Sequence, residues 1–295
     1  MTHILTLIGN KTTTLTDKTV AAAAEKLPGA GKPDWLAENH ACDIAFTPET
    51  HNIKALEAEI RQTLSGIDLA LLPKDNRRKK LLIADMDSTI IEQECIDELA
   101  DLVGLKPQVA EITERAMRGE IDFEPALKER VALLAGLDTS QLEKVYETRI
   151  TQTPGGRALT ATMRAHGGHC ALVSGGFMFF TTRVADAVGF DSQQANRLIE
   201  QDGKLTGQVA EPILGKQAKL SALQTCAREQ NLKPEETLAV GDGANDLAML
   251  DAAGLGVAFH AKPVVAERAH ARIDHGDLTA LLYLQGYRSG DIKAA

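Results

Sequence analysis

The sequence predicts an α/β fold, in which a doubly wound parallel sheet carries an inserted helical cap and follows a small α+β domain. Short apolar runs alternate with stretches of helical periodicity over most of the chain, as in a parallel sheet. The periodicity becomes helical throughout at about residues 93–151. The length of 295 residues exceeds the usual size of one domain. We therefore expect an N-terminal α+β domain at residues 1–76 and a catalytic domain, including the cap, at residues 77–295.

The first 76 residues alternate between strand and helix patterns of their own. The predicted strands are 4–8, 42–46 and 67–72, and the predicted helices are 16–27 and 53–64. Residues 73–80 form a polar linker. This region shows no pattern of chemically reactive residues, so we expect it to be separate from the catalytic machinery.

The run 81–84 predicts a short buried strand that ends at Asp85. In an open α/β sheet, ligands bind outside the carboxyl ends of the strands, so Asp85 is expected at the mouth of a site. Asp85 is then a candidate nucleophile, and Asp87 a candidate general acid and base. The alternative is a turn whose acidic and hydroxyl side chains only cap backbone groups.

The segment 93–151 contains four apolar stripes at helical spacing. Three of the stripes end at a glycine, which is typical of helix termini. The segment follows the active loop of the first catalytic strand directly. We therefore predict a four-helix cap that acts as a lid over the site.

After the cap, strands and helices alternate again. Strands are predicted at 170–173, 190–199, 204–209, 237–240, 255–259 and near 272, and helices at 154–166, 177–188, 215–230, up to 252, and 263–269. Asp202-Gly203 predicts a hairpin turn. Two of the strands end in polar turns, at Ser174-Gly175-Gly176 and at residues 241–246. The carboxyl ends of parallel strands meet at one edge, so we expect these turns beside Asp85.

The converging residues have the chemistry of a phosphate and metal site. Carboxylates of Asp85 and Asp242, aided by Asn245 or Asp246, suit Mg²⁺, and we take Asp85, Asp87 and Asp242 as the predicted metal ligands. The backbone beside Ser174 and Gly175 and the ammonium of Lys219 are candidate phosphate ligands.

The composition narrows the functional class. A net charge of -9 argues against nucleic acid or an anionic membrane as the main partner, so an anion site needs local positive charge. The cysteines are scattered without metal-ligand spacing, which suggests reduced thiols: Cys42, Cys95, Cys170 and Cys226. The N-terminal region has no signal-peptide or transmembrane pattern. We expect a cytoplasmic protein with a small-molecule substrate, and we consider a homodimer as its assembly.

Taken together, these motifs resemble the haloacid dehalogenase superfamily over about residues 80–280. The four matching motifs are Asp85-x-Asp87-x-Thr89, Ser174-Gly175, Lys219, and Gly241-Asp242-Gly243-x-Asn245-Asp246. In the predicted cap, Glu94, Met117-Arg118-Gly119, Asp122-Phe123 and Arg130 are similar to the branch of the superfamily that acts on phosphoserine. The N-terminal module is weakly similar to regulatory ACT-type domains, which motivates the hypothesis of a regulatory role.

The resemblance implies a Mg²⁺-dependent phosphatase of serine biosynthesis with an aspartyl-phosphate on Asp85. It implies that Glu94 binds the substrate ammonium and Arg130 its carboxylate, while Met117 and Phe123 close over the substrate. Ser174, Gly175, Lys219 and Asn245 are then expected around the phosphate. These expected contacts agree with the chemistry of phosphoserine, a small molecule that carries a phosphate, a carboxylate and an ammonium group.

Three alternatives remain open at this point. The chain could be a superfamily phosphatase for a sugar phosphate or nucleotide, or a phosphotransferase that passes the phosphoryl group to homoserine. It could also be a non-catalytic amino-acid sensor. Each site residue also has a structural explanation: Arg130, for example, could pair with Glu129 or Asp122 on an exposed helix face.

Overall fold

The computed structural model describes residues 2–49, 52–117 and 120–294. The chain begins with a four-stranded antiparallel sheet in the order β2-β3-β1-β4. Its strands are β1 (His3–Ile8), β2 (Asp34–Ala37), β3 (Ala41–Phe46) and β4 (Asp68–Pro73). Its helices are α1 (Asp17–Ala24) and α2 (Ile53–Thr63). Successive side chains of each strand point to opposite faces of the sheet, so both faces can be buried.

One face of this first sheet packs with its own helices and the other with the rest of the chain. Leu5, Leu7 and Ile44 lie in a core with the helix residue Ile60. On the opposite face, Leu72 belongs to a core that is shared with the larger sheet. Burial of both faces therefore joins the first sheet to the remainder of the molecule.

The second sheet has six parallel strands in the order β12-β11-β10-β5-β6-β7. These strands and a separate antiparallel hairpin, β8 and β9, are in chain order β5 (Leu81–Ala84), β6 (His169–Phe177), β7 (Ser192–Asn196), β8 (Leu198–Gln201), β9 (Lys204–Val209), β10 (Thr237–Gly241), β11 (Leu255–Phe259) and β12 (Ala271–Ile273). Because the central strands are apolar and buried throughout, this sheet forms the middle layer of an α/β fold.

Four helices follow β5 and form the cap: α3 (Cys95–Leu102), α4 (Lys106–Met117), α5 (Phe123–Ala132) and α6 (Ser140–Arg149). The remaining helices are α7 (Gly156–Ala165), α8 (Met178–Val188), α9 (Lys216–Glu229), α10 (Leu247–Ala252), α11 (Pro263–Arg268) and α12 (Ala280–Leu284). A single π-type turn, Met86–Ile90, and two 3₁₀ turns, Pro234–Glu236 and Ser289–Asp291, complete the elements of the described segments. None of the helices in these segments has the length and hydropathy of a membrane span.

The predicted fold class is confirmed, and four details differ from the prediction. The predicted turn at residues 174–176 lies within β6, which extends to Phe177. The strand β2 and the helix α12 were not predicted. The predicted strand 190–199 is in fact two elements, because β7 pairs with β6 in the parallel sheet while β8 pairs with β9. The predicted hairpin turn is present, with positive φ angles of 52° at Asp202 and 74° at Gly203.

Candidate active site

The three strands that carry the predicted motifs lie side by side in the larger sheet. β5 pairs with β10 on one side and with β6 on the other, all parallel. Asp85 follows β5 directly, and its amide donates a hydrogen bond of 3.0 Å to the Val240 carbonyl of β10. Asp242 follows β10, and Ser174 lies near the end of β6, where the pairing with β7 shifts register after Val173. The parallel arrangement therefore places all three motifs at one edge of the sheet.

Lys219, on α9, joins two of the carboxylates at this edge. Its Nζ lies 2.6 Å from Asp85 Oδ2 and 2.6 Å from Asp246 Oδ1. All three side chains are buried. Burial alone would lower the pKa of Lys219, but the Asp246 and Asp85 carboxylates outweigh it and hold that pKa above its usual value. The ammonium is therefore charged at neutral pH.

A group of three carboxylates could hold a metal ion. Asp85, Asp242 and Asp246 each offer an oxygen within 4.8 Å of the other two. Burial, followed by repulsion from Asp246, raises the pKa of Asp242 to about 6. One ammonium does not balance three carboxylates, so the group has an excess of negative charge that a hard divalent cation would offset. The donor set therefore fits Mg²⁺.

The carboxylate of Asp87 is engaged differently. Its Oδ1 accepts a hydrogen bond of 2.8 Å from the Cys95 amide, and its Oδ2 accepts one of 3.0 Å from Ser174 Oγ. Among the described residues, the carboxylate group identified above contains Asp246 rather than Asp87. The Asp87 carboxylate is thus held between the start of the cap helix α3 and the strand β6. Its predicted role as a metal ligand stays a prediction.

Two glycines allow the close approach of segments around Asp87. A Cβ atom on Gly176 would lie 2.9 Å from Asp87 Oδ2 and 3.0 Å from Ser174 Oγ. A Cβ atom on Gly175 would lie 3.0 Å from the ring of Phe123, which begins the cap helix α5. A side chain at either position would therefore displace a polar contact of the site or the cap itself.

Glu94 stands at the start of the cap, next to the Asp87 loop. Its Oε1 accepts a hydrogen bond of 2.8 Å from Ser88 Oγ, and Ser88 has a positive φ of 54°. The residue is exposed overall, yet enclosure of its carboxylate, followed by repulsion from Asp87, raises the pKa of Glu94 to about 8. A carboxylate in such surroundings favours a cationic ligand, because a positive charge relieves the repulsion.

Arg130 is half-buried on α5, and its charge acts on the same acidic cleft. Its Nε donates to the Ala126 carbonyl at 3.2 Å and its Nη1 to Thr113 Oγ1 at 3.5 Å. The pKa of Arg130 is lowered by burial, and the negative charges of Asp97, Glu94 and Asp87 act against that shift. Within the described part of the chain, no ion pair joins Arg130 to either alternative partner, Glu129 or Asp122, and Glu129 bonds Arg115 at 3.1 Å. The guanidinium thus keeps donors for a ligand anion.

Comparison with known proteins identifies the family. The model of haloacid dehalogenase-like hydrolases matches residues 82–251 of this chain. A phosphoserine phosphatase of Polaromonas sp. is 45% identical over 211 residues, which cover 70% of this chain and 89% of the relative. The chain belongs to the haloacid dehalogenase-like hydrolases, in their phosphoserine phosphatase family. A phosphoserine phosphatase of Streptomyces coelicolor is 44% identical over 78% of this chain, and the match spans only 56% of that longer relative.

Solved structures of family members share the fold. A haloacid dehalogenase family hydrolase of Salmonella enterica serovar Typhi superposes with a TM-score of 0.85 at 30% identity, covering 96% of this chain and 98% of the other. A phosphoserine phosphatase described as a phospho-aspartyl intermediate analogue superposes with a TM-score of 0.65 at 41% identity, covering 70% of this chain and 98% of the other. The first match includes the N-terminal sheet, so that sheet has a structural counterpart in another family member.

The remaining family positions are placed as follows. Asn245 is half-buried in the loop after β10, and its Oδ1 lies so close to Gly243 that a side chain at that position would collide with it. The predicted contact of the Met117 side chain lies outside the described residues, as do Arg118 and Gly119. Sequence reasoning considered Asp246 only as an alternative to Asn245. It missed Asn196, whose side chain bonds the Gly175 carbonyl next to Ser174. No local pattern marks Asn196, because its partners are distant in the chain.

Proposed function

We propose that this chain hydrolyses O-phospho-L-serine to L-serine and phosphate through an aspartyl-phosphate on Asp85. The observation that best supports this proposal is the arrangement of charged side chains around one cleft. The buried Lys219 contacts Asp85 at 2.6 Å, and the cap carries Arg130 and Glu94 near Asp87. Phosphoserine has a phosphate, a carboxylate and an ammonium, and this cleft provides a group of opposite charge for each.

In the first step, a carboxylate oxygen of Asp85 attacks phosphorus as the bond from phosphorus to the serine oxygen breaks. Asp87 donates a proton to the departing oxygen. The hydrogen bonds from the Cys95 amide and Ser174 Oγ hold the Asp87 carboxyl in place for this transfer. Serine leaves, and the phosphoryl group stays on Asp85.

In the second step, Asp87 removes a proton from water, whose oxygen attacks phosphorus and releases Asp85. Lys219 offsets negative charge beside Asp85 in both steps. Mg²⁺, when bound by carboxylates of the group Asp85, Asp242 and Asp246, supplies further positive charge for the phosphate oxygens. The predicted phosphate contacts of Ser174, Gly175 and Asn245 belong to this proposal.

Substrate selection is assigned to the cap. Arg130 binds the substrate carboxylate, Glu94 binds its ammonium, and Phe123 covers the site next to Gly175. A small aryl phosphate has neither the carboxylate nor the ammonium, so it depends on the catalytic groups alone. The expected cytoplasmic location, the homodimer and the regulatory N-terminal module are parts of the proposal that rest on the sequence.

The test compares Arg130→Ala with the control Arg115→Ala, which removes another arginine of the same cap. Phosphate release is measured from phosphoserine and from p-nitrophenyl phosphate. We expect Arg130→Ala to lower kcat/KM for phosphoserine by about 100-fold, the loss typical of an unpaired recognition contact, with little change for the aryl phosphate. Arg115→Ala should match the wild type, because its partner Glu129 is exposed.

Three outcomes would overturn the proposal. Equal losses on both substrates would indicate a superfamily phosphatase of different specificity. Phosphohomoserine formed in the presence of homoserine would indicate a phosphotransferase. Absence of phosphate release from the wild type, together with no effect of Asp85→Asn, would indicate an amino-acid sensor.

A further inference from the structure

The side chain of Asn196, the last residue of β7, is buried, and both of its polar atoms form hydrogen bonds. It is only 2% exposed. Its Nδ2 donates to the Gly175 carbonyl at 2.8 Å and to the Leu214 carbonyl at 3.3 Å, and its Oδ1 accepts from the Leu214 amide at 2.7 Å. A side-chain amide has two donor hydrogens and one acceptor oxygen, so each group here is used. The opposite orientation of the amide would place oxygen against the Gly175 carbonyl.

The Asn196 side chain bonds the Gly175 carbonyl at a point where the backbone pairing between β6 and β7 is interrupted. β6 and β7 pair regularly up to Val173, and the register then shifts before Phe177 pairs with Asn196. The segment 174–176 therefore leaves the regular ladder where it forms the Ser174 loop. Within this loop, Ser174 Oγ donates to Asp87 and accepts from the Gly176 amide at 2.8 Å. Asn196 thus fixes the backbone next to the group that orients Asp87.

The contacts with Leu214 fix a second catalytic segment. The two hydrogen bonds between the Asn196 amide and the Leu214 backbone resemble a bond pair between strands. Leu214 precedes Gly215, the N-cap of α9, and Lys219 lies in the first turns of this helix. Lys219 in turn contacts Asp85. A shift of Leu214 would therefore move the start of the helix that directs Lys219 towards the nucleophile.

We propose that Asn196 is a positioning residue that sets the distance between the Ser174 loop and the start of α9, and through them positions Asp87 and Lys219 relative to the nucleophile Asp85. The inference rests on the proposed phosphoryl transfer. It does not depend on the identity of the leaving group, because none of the Asn196 contacts involves Glu94 or Arg130. Among the described residues, the Asn196 side chain bonds the backbone of Gly175 and Leu214 and not the side chains of Asp85, Asp87 or Lys219.

Other side chains cannot make the same set of contacts. Aspartate has the shape of asparagine but lacks the donors for the Gly175 and Leu214 carbonyls, and it would bring a negative charge next to them. Serine is too short to reach both segments. Misplacement of catalytic groups by about 1 Å can cost about 100-fold in rate, so we expect a loss of that order in kcat. Because phosphoryl transfer is common to all substrates, kcat should fall equally for phosphoserine and for p-nitrophenyl phosphate.

The experiment uses the full chain with Asn196→Asp and Asn196→Ser, and Thr160→Val as the matched control. Thr160 is also fully buried, and its Oγ1 donates to the Val188 carbonyl at 2.6 Å, between α7 and α8. Melting temperature, kcat and KM for both substrates, and inhibition by vanadate are measured for each protein. Vanadate reports the geometry of the transferred group. We expect both Asn196 variants to lose about 100-fold in kcat and to bind vanadate more weakly, whereas Thr160→Val keeps its kcat and vanadate affinity despite a lower melting temperature.

A kcat within threefold of the wild type in a folded Asn196 variant would overturn the inference. So would an equal loss of kcat in Thr160→Val at an equal loss of melting temperature, since this would indicate general destabilisation. If Asn196→Asp yields no folded protein, Asn196→Ser decides by the same criteria. A wild type that cleaves only the aryl phosphate would refute the phosphoserine assignment, while the Asn196 test could still be completed on the aryl substrate.

Discussion

The ammonium of Lys219 lies 2.6 Å from the Asp85 carboxylate, with both side chains buried. The same ammonium lies 2.6 Å from Asp246, which is completely buried. Lys219 is therefore both a candidate catalytic charge and the counter-ion that allows two acids to be buried together. These two roles can be separated by measuring activity and stability in the same variant.

Lys219→Met should lose both activity and stability. The substitution keeps an unbranched side chain that is one atom shorter, but it leaves Asp85 and Asp246 without their counter-ion, and removal of one partner of a buried ion pair costs about 3–5 kcal/mol. Urea unfolding in EDTA measures this loss. Excess Mg²⁺ should restore part of the stability, since a cation offsets the remaining carboxylates. Phosphatase activity should stay about 100- to 1,000-fold below the wild type, the range found when one key electrostatic group is removed.

The control for this variant is Lys18→Met, whose side chain is exposed on α1. It should unfold like the wild type and keep full activity. A Lys219→Met protein with unchanged stability in EDTA would show that the carboxylates are not held by this lysine.

The metal site can be assigned by thermal stabilisation rather than by activity. In wild-type protein, excess Mg²⁺ should raise the melting temperature above its value in EDTA, because a ligand of the folded state alone stabilises it. Asp242→Asn should reduce this shift strongly, since it removes one of the three grouped carboxylates. Asp87→Asn should keep the shift, because the Asp87 carboxylate is engaged by the Cys95 amide and by Ser174.

Loss of the Mg²⁺ shift in Asp87→Asn would instead support Asp87 as a ligand, as the sequence predicts. Both variants are isosteric, so the comparison depends on charge and not on packing. The activity of each protein is not needed for this assignment, which makes it independent of the proposed substrate.

The convergence of the motif residues was predictable, because the order of elements alone indicates a parallel sheet. Asp85, Ser174 and Asp242 each follow or end an apolar run, and parallel strands bring such positions to one edge. The four-helix cap was also predictable, since its apolar stripes have helical spacing. These features depend on local pattern and on general rules of sheet topology.

Features that depend on pairing between distant residues could not be predicted. β2 was missed because it has only four residues, Asp34–Ala37, and owes its strand conformation to pairing with β3, which shifts register between Trp35 and Ala37. Asp246 was only an alternative ligand, since nothing in the loop sequence shows that Lys219 reaches it. Asn196 gave no signal at all, because its partners lie 18 and 21 residues away in the chain. Such contacts require the register and the loop path, which the sequence pattern does not give.

Arg77→Met should weaken the attachment of the N-terminal sheet to the rest of the chain. Arg77 bonds the buried Asp43 and Thr6 of the first sheet, and it also donates to the carbonyls of Tyr283 and Leu284 at 3.2 Å. Without Arg77, Asp43 is a buried charge lacking its partner, a change that typically costs about 3–5 kcal/mol. Urea unfolding and limited proteolysis measure the effect, which should include faster cleavage near residues 73–80.

The neighbouring Arg78→Met is the control for this substitution. Arg78 is half exposed, bonds the exposed Asp291 at 3.1 Å and lies 4.2 Å from the centre of the Tyr287 ring, so its loss should cost only about 1 kcal/mol. Equal effects of the two variants would argue against a specific role of the Arg77 contacts in joining the two sheets.

Lys79→Met should change how stability depends on pH. Lys79 is 8% exposed, and its Nζ donates to the carbonyls of Asn76 and Glu235, both at 2.7 Å. Burial lowers the pKa of Lys79 to about 8, against an ordinary value of 10.5 in the unfolded chain. Between these values the unfolded state binds more protons than the folded state, so the contribution of Lys79 to stability rises with pH. It is lowest below about pH 8 and complete above about pH 10.5.

The measurement is the free energy of unfolding in urea for wild type and Lys79→Met at several pH values. The wild type minus variant difference should be constant below about pH 8 and then increase by up to about 3 kcal/mol, since one pKa unit corresponds to about 1.4 kcal/mol. Taking a difference removes the titration of all other groups, which are common to both proteins. Lys80→Met is the control, because the Lys80 side chain is 61% exposed and pairs with Glu236 at 2.8 Å. If the difference in unfolding free energy between wild type and Lys79→Met does not change with pH, water reaches the Lys79 ammonium and its pKa stays near the ordinary value.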